Sequence, residues 1–541
     1  MGFNSKAFST IYLIMIYDWT RKQAETNPKN IAITSPERHV SYATLESESN
    51  RLASLLLING LKQGGSVGLL MNKSAENIIA MHGINKAGGV IVPLNLEENA
   101  DQITRTIETS ELSFLMVDHY AFNKYKIMLK MHKKLDNIPW IWWSSKICNS
   151  QDQYSPAFSY QDIEHQPDYP FQKNTDENSP AYIYFESGAG NVKTGITISH
   201  KNISSFINWS AKKFKTQQAD RITGHAPFHQ NLSVFDIYGT FAAGAHLYLI
   251  PNDFENRLTK LYDFVLENDI TQWFVHSSVL FYMARFDMIP SQGLPGLKRL
   301  IWHGKEFPIA ALQYWMKQLP DVSFTNLYGS AESTVASSYY TVPGVPKKGD
   351  EIPIGTACGG GEMHVLNEEL KPVPMGGIGD LYISGDSLSS GYWKDKEKTE
   401  VAFIWYQNSE DEWKRLYKTG HLASLNADGL IYYHGQSGYK IKKKFPHLEL
   451  EEIETALGNI KNLTEYAVVK VKKEGVEKTE FGCAYASKQE RDNGASPALK
   501  KLLSETIPNN AIPHHWKSFK KLPRKSNGKI DRKTLSEEFK L

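Results

Sequence analysis

The chain has 541 residues, 41% of them hydrophobic and 22% charged, with a formal net charge of +2. That length is too great for one ordinary hydrophobic core and implies two or more domains of a globular protein, not a disordered or fibrous chain. Three widely spaced cysteines, Cys148, Cys358 and Cys483, exclude a disulfide framework and cysteine metal ligation at motif spacing, and point to a reducing compartment, the cytoplasm. The apolar run Ile11 to Tyr17 is too short to span a bilayer, so neither membrane nor nucleic acid is an expected partner. Charge is uneven along the chain. From Gly435 onward 22 Lys/Arg face 14 Asp/Glu, while the remainder holds 39 against 45. A basic module on a mildly acidic body suits a nucleotide or an acidic partner at their junction, and equally suits a solvated lysine-rich surface.

In chain order, short β-rich apolar runs alternate with helical patterns. Strands are expected at Ser66–Met71, Gly89–Pro93, Leu112–Val117, Pro139–Trp143, Ala181–Phe185, His246–Ile250, Gln272–Val275 and Leu300–Trp302. Helices are expected between them, as at Tyr42–Asn59, Ala75–Lys86 and Leu258–Asn268. The alternation predicts parallel βαβ units in a layered α/β domain. Beyond Ala357 shorter strands and Gly/Pro turns take over, at Met363–Leu366, Gly379–Ser384 and Leu430–Tyr433, which predicts a β-rich subdomain. Two glycines in the segment His434 to Gly438 give the backbone freedom of a hinge. The predicted organisation is therefore a large N-terminal domain, residues 1–434, and a small α+β lid domain, residues 435–541. The lid would open with a helix around Leu448 to Leu457, whose early acids suit a helix N-terminus.

The chemistry-bearing segments begin at the far end. Leu522-Pro523-Arg524-Lys525-Ser526-Asn527-Gly528-Lys529-Ile530-Asp531 puts Lys529 on a polar tail, where it can carry charge to an anionic group or simply be solvated. The stretch resembles the terminal motif of the acyl- and aminoacyl-adenylate-forming ligases, the superfamily of luciferases, acyl-CoA synthetases and nonribosomal peptide adenylation domains. Segments similar to the family's other signatures follow in order. They are Lys86-Ala87-Gly88-Gly89-Val90-Ile91-Val92-Pro93, Phe185-Glu186-Ser187-Gly188-Ala189-Gly190-Asn191-Val192-Lys193-Thr194-Gly195, Asn326-Leu327-Tyr328-Gly329-Ser330-Ala331-Glu332, Gly379-Asp380-Leu381-Tyr382-Ile383-Ser384-Gly385 with Gly391-Tyr392-Trp393, and Tyr417-Lys418-Thr419-Gly420-His421.

The resemblance implies ATP and Mg²⁺ as cofactors. Ser187, Gly188 and Lys193 would cradle phosphate, as backbone N–H groups and a lysine can. Gly304, Tyr328 and His421 would contact the nucleoside, Glu332 would ligate the metal, and Lys529 would touch both the substrate carboxylate and the α-phosphate. His229 stands at the family's gating histidine. Asn231, Phe235, Phe274, His303 and Val335 would line a mostly apolar acid pocket. Amino-acid-activating relatives carry Asp where Asn231 stands. Asn cannot pair with an α-ammonium, and the same replacement appears in aryl-acid relatives. A small carboxylic or amino acid would thus be activated as its adenylate, then passed to a carrier-protein phosphopantetheine thiol in trans, in a secondary-metabolite pathway.

Several positions depart from the family pattern. In the phosphate loop the family's Thr positions are Glu186, Ala189 and Gly190, and its Lys position is Thr194. Lost hydroxyls and an added anion near a triphosphate should weaken ATP binding. The family Thr before the metal ligand is Ala331, the ribose-contacting Asp is His421, the ribose Arg is Gln436, the hinge acid is Gly438, and Phe445 replaces the glycine of the thiol tunnel. These departures leave a second reading, a degenerate homologue acting as a non-catalytic partner or ligand-binding protein.

Overall fold

The computed structural model describes residues 15–539, apart from 132–137, 144–155, 170–175, 188–192, 255–256, 305–306, 409–410, 437–452, 455–456, 459–462, 472–479, 488–498, 501–502, 504–511 and 525–529. Lys529, Gly188, Gly438, Phe445, Cys148 and most of the expected helix at Leu448–Leu457 lie outside the described residues. Two compact units are present: residues 1–419 with 423–433, and residues 420–422 with 434–541. No described helix is long and apolar enough to cross a membrane.

Helices form where periodicity and caps coincide. The Ser41 side chain caps Tyr42–Ile58 by accepting from the Thr44 N–H, and Ser74 caps Ala75–Lys86 by accepting from the Asn77 N–H. Such caps satisfy amides that have no partner inside the helix. Every residue of Ala75–Lys86 except Glu76 is buried, Lys86 included. Its ammonium lies 2.7 Å from Glu46 Oε2 and 2.8 Å from both Ser49 Oγ and Asn50 Oδ1. Burial of that charge is tolerable only with this full set of partners.

In the larger unit the strands build two extended sheets. A nine-stranded sheet has a parallel centre, in which Ser323–Tyr328, Arg299–His303, Gln272–His276, Arg221–Gly224, His246–Leu249 and Ile31–Thr34 lie side by side. A seven-stranded sheet runs from Gly391–Tyr392 through Lys193–Ser199, Pro180–Ser187, Val90–Pro93, Ser66–Leu70 and Leu112–Val117 to Trp140–Trp142. A five-stranded sheet after Ala357 includes Glu362–Leu366, Ile378–Ser384, Phe403–Gln407 and Trp413–Leu425. One difference from the sequence expectation concerns the phosphate-loop segment. Pro180–Ser187 and Lys193–Ser199 pair antiparallel as a hairpin, and the helix His200–Phe214 starts only after the second strand. The smaller unit holds a three-stranded sheet of Leu463–Val471, Glu480–Ser487 and His515–Ser518, with the helix Arg532–Glu538 and apolar clusters around Val468 and Val469. The fold is thus a layered α/β body with a β-rich part and a small α+β unit.

Asp236 fixes the helix that carries the expected acid pocket, Ser233–Ala243. Its Oδ2 accepts from the His225 N–H at 3.1 Å and the Ala226 N–H at 3.4 Å, while Oδ1 has no partner among the described residues. Burial pushes its pKa up to about 8 from an ordinary 3.8, against the lowering effect of the two N–H bonds and of Lys73. Folding therefore takes up a proton between those values. The stability this group contributes is full below pH 3.8 and is lost as pH rises toward 8. The wild-type protein is expected to lose about 3 kcal/mol from this group between pH 5.5 and 8, and Asp236→Asn to flatten that dependence. Urea unfolding at the two pH values measures it; equal slopes in both proteins would refute the assignment.

Candidate functional site

The parallel strands of the nine-stranded sheet end together. In register, His276 lies beside His303, and His303 beside Leu327. Open α/β sheets bind ligands outside the carboxyl ends of their strands, and the sequence-derived pocket residues gather there. Phe235 packs edge-on against Phe274 at 5.2 Å, Phe274 lies 5.3 Å from His303, and His303 meets His276 at 5.0 Å. Gly304 is required by close approach, since a Cβ there would fall 2.5 Å from His276 Nε2 at a φ of +115°. Asn231 is 8% exposed, and its amide makes only a long 3.5 Å contact with the Ser330 carbonyl. Burial, helped by the nearby charges of Lys193 and Lys73, pulls His229 down to about 4. It is a neutral imidazole at pH 7.

Beyond the strand Ser323–Tyr328 the chain turns sharply. Thr334 and Val335 have φ of 49° and 70°. β-Branched side chains resist this left-handed region, so the surrounding packing must hold them there, and such strain concentrates at ligand sites. Gly329 permits the turn, because a Cβ there would lie 2.5 Å from the Ala336 Cα. The strain delivers Val335 to the apolar cluster that contains Phe235 and Phe274, and sets Glu332 on the other side of the turn.

Glu332 is held by phenols. Tyr392 Oη donates to Glu332 Oε1 at 2.9 Å, and the Ser389 N–H donates to the Glu332 carbonyl at 2.8 Å. Burial first, then the Glu332 carboxylate, pushes the Tyr392 phenol above its ordinary 10. The same two causes raise Tyr417, in the same order. Both therefore stay protonated, as donors to a carboxylate must. Tyr328 sits 6.3 Å from Tyr433 at 45°, an aromatic surface at the same strand end. Among the described residues no group of three His, Cys, Asp or Glu could hold a metal ion unaided. One fixed carboxylate fits Mg²⁺, which keeps waters and binds through one or two carboxylates plus substrate phosphates.

The remaining sequence candidates are placed differently. In the hairpin Ser187 pairs with Lys193, and Glu186 with Thr194. The Lys193 ammonium is engaged with Glu98, their side chains only 11% and 9% exposed, and donates to Thr106 Oγ1 at 2.6 Å. It therefore faces the neighbouring helix Ala100–Ser110 as one half of a buried ion pair. His421 lies on the strand Trp413–Leu425, in the segment that clusters with the smaller unit. The partners of Glu332 and Lys193 escaped sequence reasoning. Tyr392 and Tyr417 sit in signature segments, but nothing in the sequence links them to a carboxylate at residue 332.

A family model for AMP-binding enzymes matches residues 20–393, and the chain belongs to that family. It is 27% identical to tyrocidine synthase 1 of Brevibacillus parabrevis over 523 residues, which is 96% of this chain and 45% of that protein. It is also 27% identical to bacitracin synthase 1 of Bacillus licheniformis, covering 96% of this chain and 9% of that protein. The chain thus spans less than half the length of these curated relatives. Among solved structures, Klebsiella oxytoca NpsA in complex with 3-hydroxyanthranilyl-AMSN aligns with a TM-score of 0.77 at 19% identity, over 97% of this chain and 99% of that one. The anthranilate CoA ligase AuaEII in complex with anthranoyl-AMP aligns with a TM-score of 0.83 at 18% identity, over 97% of both chains. These two likenesses establish the shared fold.

Removing the ammonium of the buried pair leaves Glu98 desolvated and alone. Lys193→Met is therefore expected to cost about 3 kcal/mol of stability, with part recovered by Lys193→Met/Glu98→Gln. Urea unfolding of the single and double variants checks this; an unchanged single variant would show that the lysine is free for another role.

Proposed function

We propose that the protein is an AMP-forming ligase that activates a small carboxylic acid, of aryl type, with Mg·ATP. The observation that carries this reading is the carboxylate of Glu332, fixed by Tyr392 at 2.9 Å on the turn that carries Val335 into the apolar cluster of Phe235 and Phe274. Asn231, buried and without a charge, supports acids that lack an α-ammonium. The acyl groups named in the NpsA and AuaEII complexes are aryl, which supports the same class.

Glu332 would hold Mg²⁺, which when bound supplies positive charge to the phosphates. Tyr328 would offer its ring to the adenine. The pocket around Phe235, Phe274 and Val335 would exclude water and aim the acid's carboxylate. A carboxylate oxygen then bonds to the α-phosphorus as the α–β phosphoanhydride bond breaks, and pyrophosphate leaves. Lys529 would steady the negative charge at that phosphorus, a positioning and electrostatic role. In the second half-reaction residues 435–541 would reorient about the Gly435–Gly438 segment. A carrier-protein phosphopantetheine thiol supplied in trans would take the acyl group, releasing AMP. The commitment of Lys193 to Glu98 favours the second reading, a homologue that binds ligand without turnover.

Pyrophosphate release with Mg·ATP across aryl, aliphatic and amino acids separates the two readings. Turnover is expected with aryl acids, and silence across the panel contradicts the ligase. Lys529→Ala is expected to lower acid-dependent pyrophosphate release about a hundredfold or more with unchanged thermal stability, since it removes one charge at the reacting phosphorus. Asn231→Asp is expected to move selectivity about tenfold toward α-amino acids, measured as the ratio of kcat/KM values. No shift would remove Asn231 from the pocket.

A further inference from the structure

We propose that Lys398 supplies the cation with which the phosphate hairpin meets the triphosphate of the nucleotide, a role that rests on the ligase reading above. Three features converge on this side chain. The lysine inside the hairpin, Lys193, is taken by Glu98 and Thr106. The Lys398 ammonium, from the exposed helix Lys396–Ala402, reaches over the hairpin and donates to Thr194 Oγ1 at 2.6 Å. It also lies 4.8 Å from the ring centre of Tyr392, the tyrosine whose hydroxyl holds Glu332 at 2.9 Å. The charge therefore sits on the hairpin, against the tyrosine that holds the carboxylate assigned to the metal.

Its neighbours on the same segment are committed elsewhere. Lys396 pairs with Glu400 at 3.7 Å, and Lys394 with Glu111. Lys398 has no carboxylate within ion-pair distance among the described residues. The local backbone holds this exposed lysine beside the hairpin. Asp395 caps the helix by accepting from the Lys398 N–H at 3.0 Å, and Thr399 Oγ1 ties the helix to Tyr392 by accepting its N–H at 2.9 Å. A lysine on an exposed helix ordinarily extends into water to save rotamer entropy, at little energetic loss. This one instead rests on a hydroxyl and an aromatic face, neither of which neutralises it. Glu186 stands directly across the hairpin ladder from Thr194 and repels phosphate. A cation at Thr194 Oγ1 offsets that anion and so removes the barrier that Glu186 sets against phosphate at the hairpin.

The test uses the full chain and an acid that supports turnover. Lys398→Met is expected to raise KM for Mg·ATP about five- to tenfold, with kcat and the acid's KM changed less than twofold. Lys398→Arg is expected to retain most of the affinity, and Lys396→Met, on the same helix, to stay within about twofold of wild type. Lys398→Met/Thr194→Lys, which puts a lysine on the hairpin itself, is expected to restore ATP affinity. An unchanged KM for ATP in Lys398→Met overturns the proposal. So does a loss that neither Arg nor Thr194→Lys repairs and that follows a lowered Tm. Should no acid turn over, the ligase reading fails, and ATP-binding calorimetry decides for Lys398. A weaker Kd in Lys398→Met upholds its contact with the nucleotide, while an unchanged Kd, or no binding by the wild-type chain, overturns it.

Discussion

One hydrogen bond, from Tyr392 Oη to Glu332 Oε1 at 2.9 Å, ties the two large sheets to a common point. Glu332 follows the strand Ser323–Tyr328 at the end of the nine-stranded sheet, and Tyr392 lies on the edge strand of the seven-stranded sheet. The phenol must stay protonated to donate, and burial together with the carboxylate's own charge raises its pKa. The result is a carboxylate held in one orientation next to the turn that reaches the apolar cluster of Phe235 and Phe274. The strained residues Thr334 and Val335 follow it directly and carry the chain into that cluster. Strain of this kind costs free energy that only a dense surrounding can hold, and the aromatic packing of Phe235 against Phe274 and Phe206 supplies such a surrounding.

Electrostatics separates the charges that build the protein from those left to act. Lys86 with Glu46 and Lys193 with Glu98 are buried pairs, each held by further hydrogen bonds. Pairs of this kind add little net stability, but removing one member is expensive, so they behave as fixed parts of the architecture. His229 and His225 are held neutral by burial, at about 4 and about 3. Against that background Glu332 and Lys398 face each other's region with Tyr392 between them. Under the proposed reading, an anion for a divalent cation and a cation for phosphate share Tyr392 as a neighbour, the polarity that a metal-bound polyphosphate matches.

Local structure was legible where a single chain segment decides it. The capped run Ala75–Lys86 and the apolar run Leu112–Val117 were predicted to the residue, because near-complete burial leaves little room for a competing conformation. The strand Ser323–Tyr328 was not anticipated. Its sequence, Ser-Phe-Thr-Asn-Leu-Tyr, has adjacent polar residues and no continuous apolar run, and a parallel neighbour on one side and an antiparallel one on the other supply the missing stabilisation. The phosphate-loop segment carried family spacing but not its pairing, and the antiparallel register of Glu186 with Thr194 came only with the fold. Partners across the chain were least legible. Lys193 reads as a loop cation until Glu98 is seen against it, and Tyr392 as a structural aromatic until its hydroxyl is seen on Glu332. Such pairings depend on tertiary neighbours that no local pattern encodes.

The most direct measurement follows an oxygen atom. With a carboxylic acid labelled with ¹⁸O in both carboxylate oxygens, Mg·ATP, and hydroxylamine as acceptor, attack of the carboxylate on the α-phosphorus must leave one labelled oxygen on the nucleotide. The account predicts AMP that carries a single ¹⁸O, detected by mass spectrometry and absent when the protein is omitted. Unlabelled AMP, or ADP as the product, would contradict it.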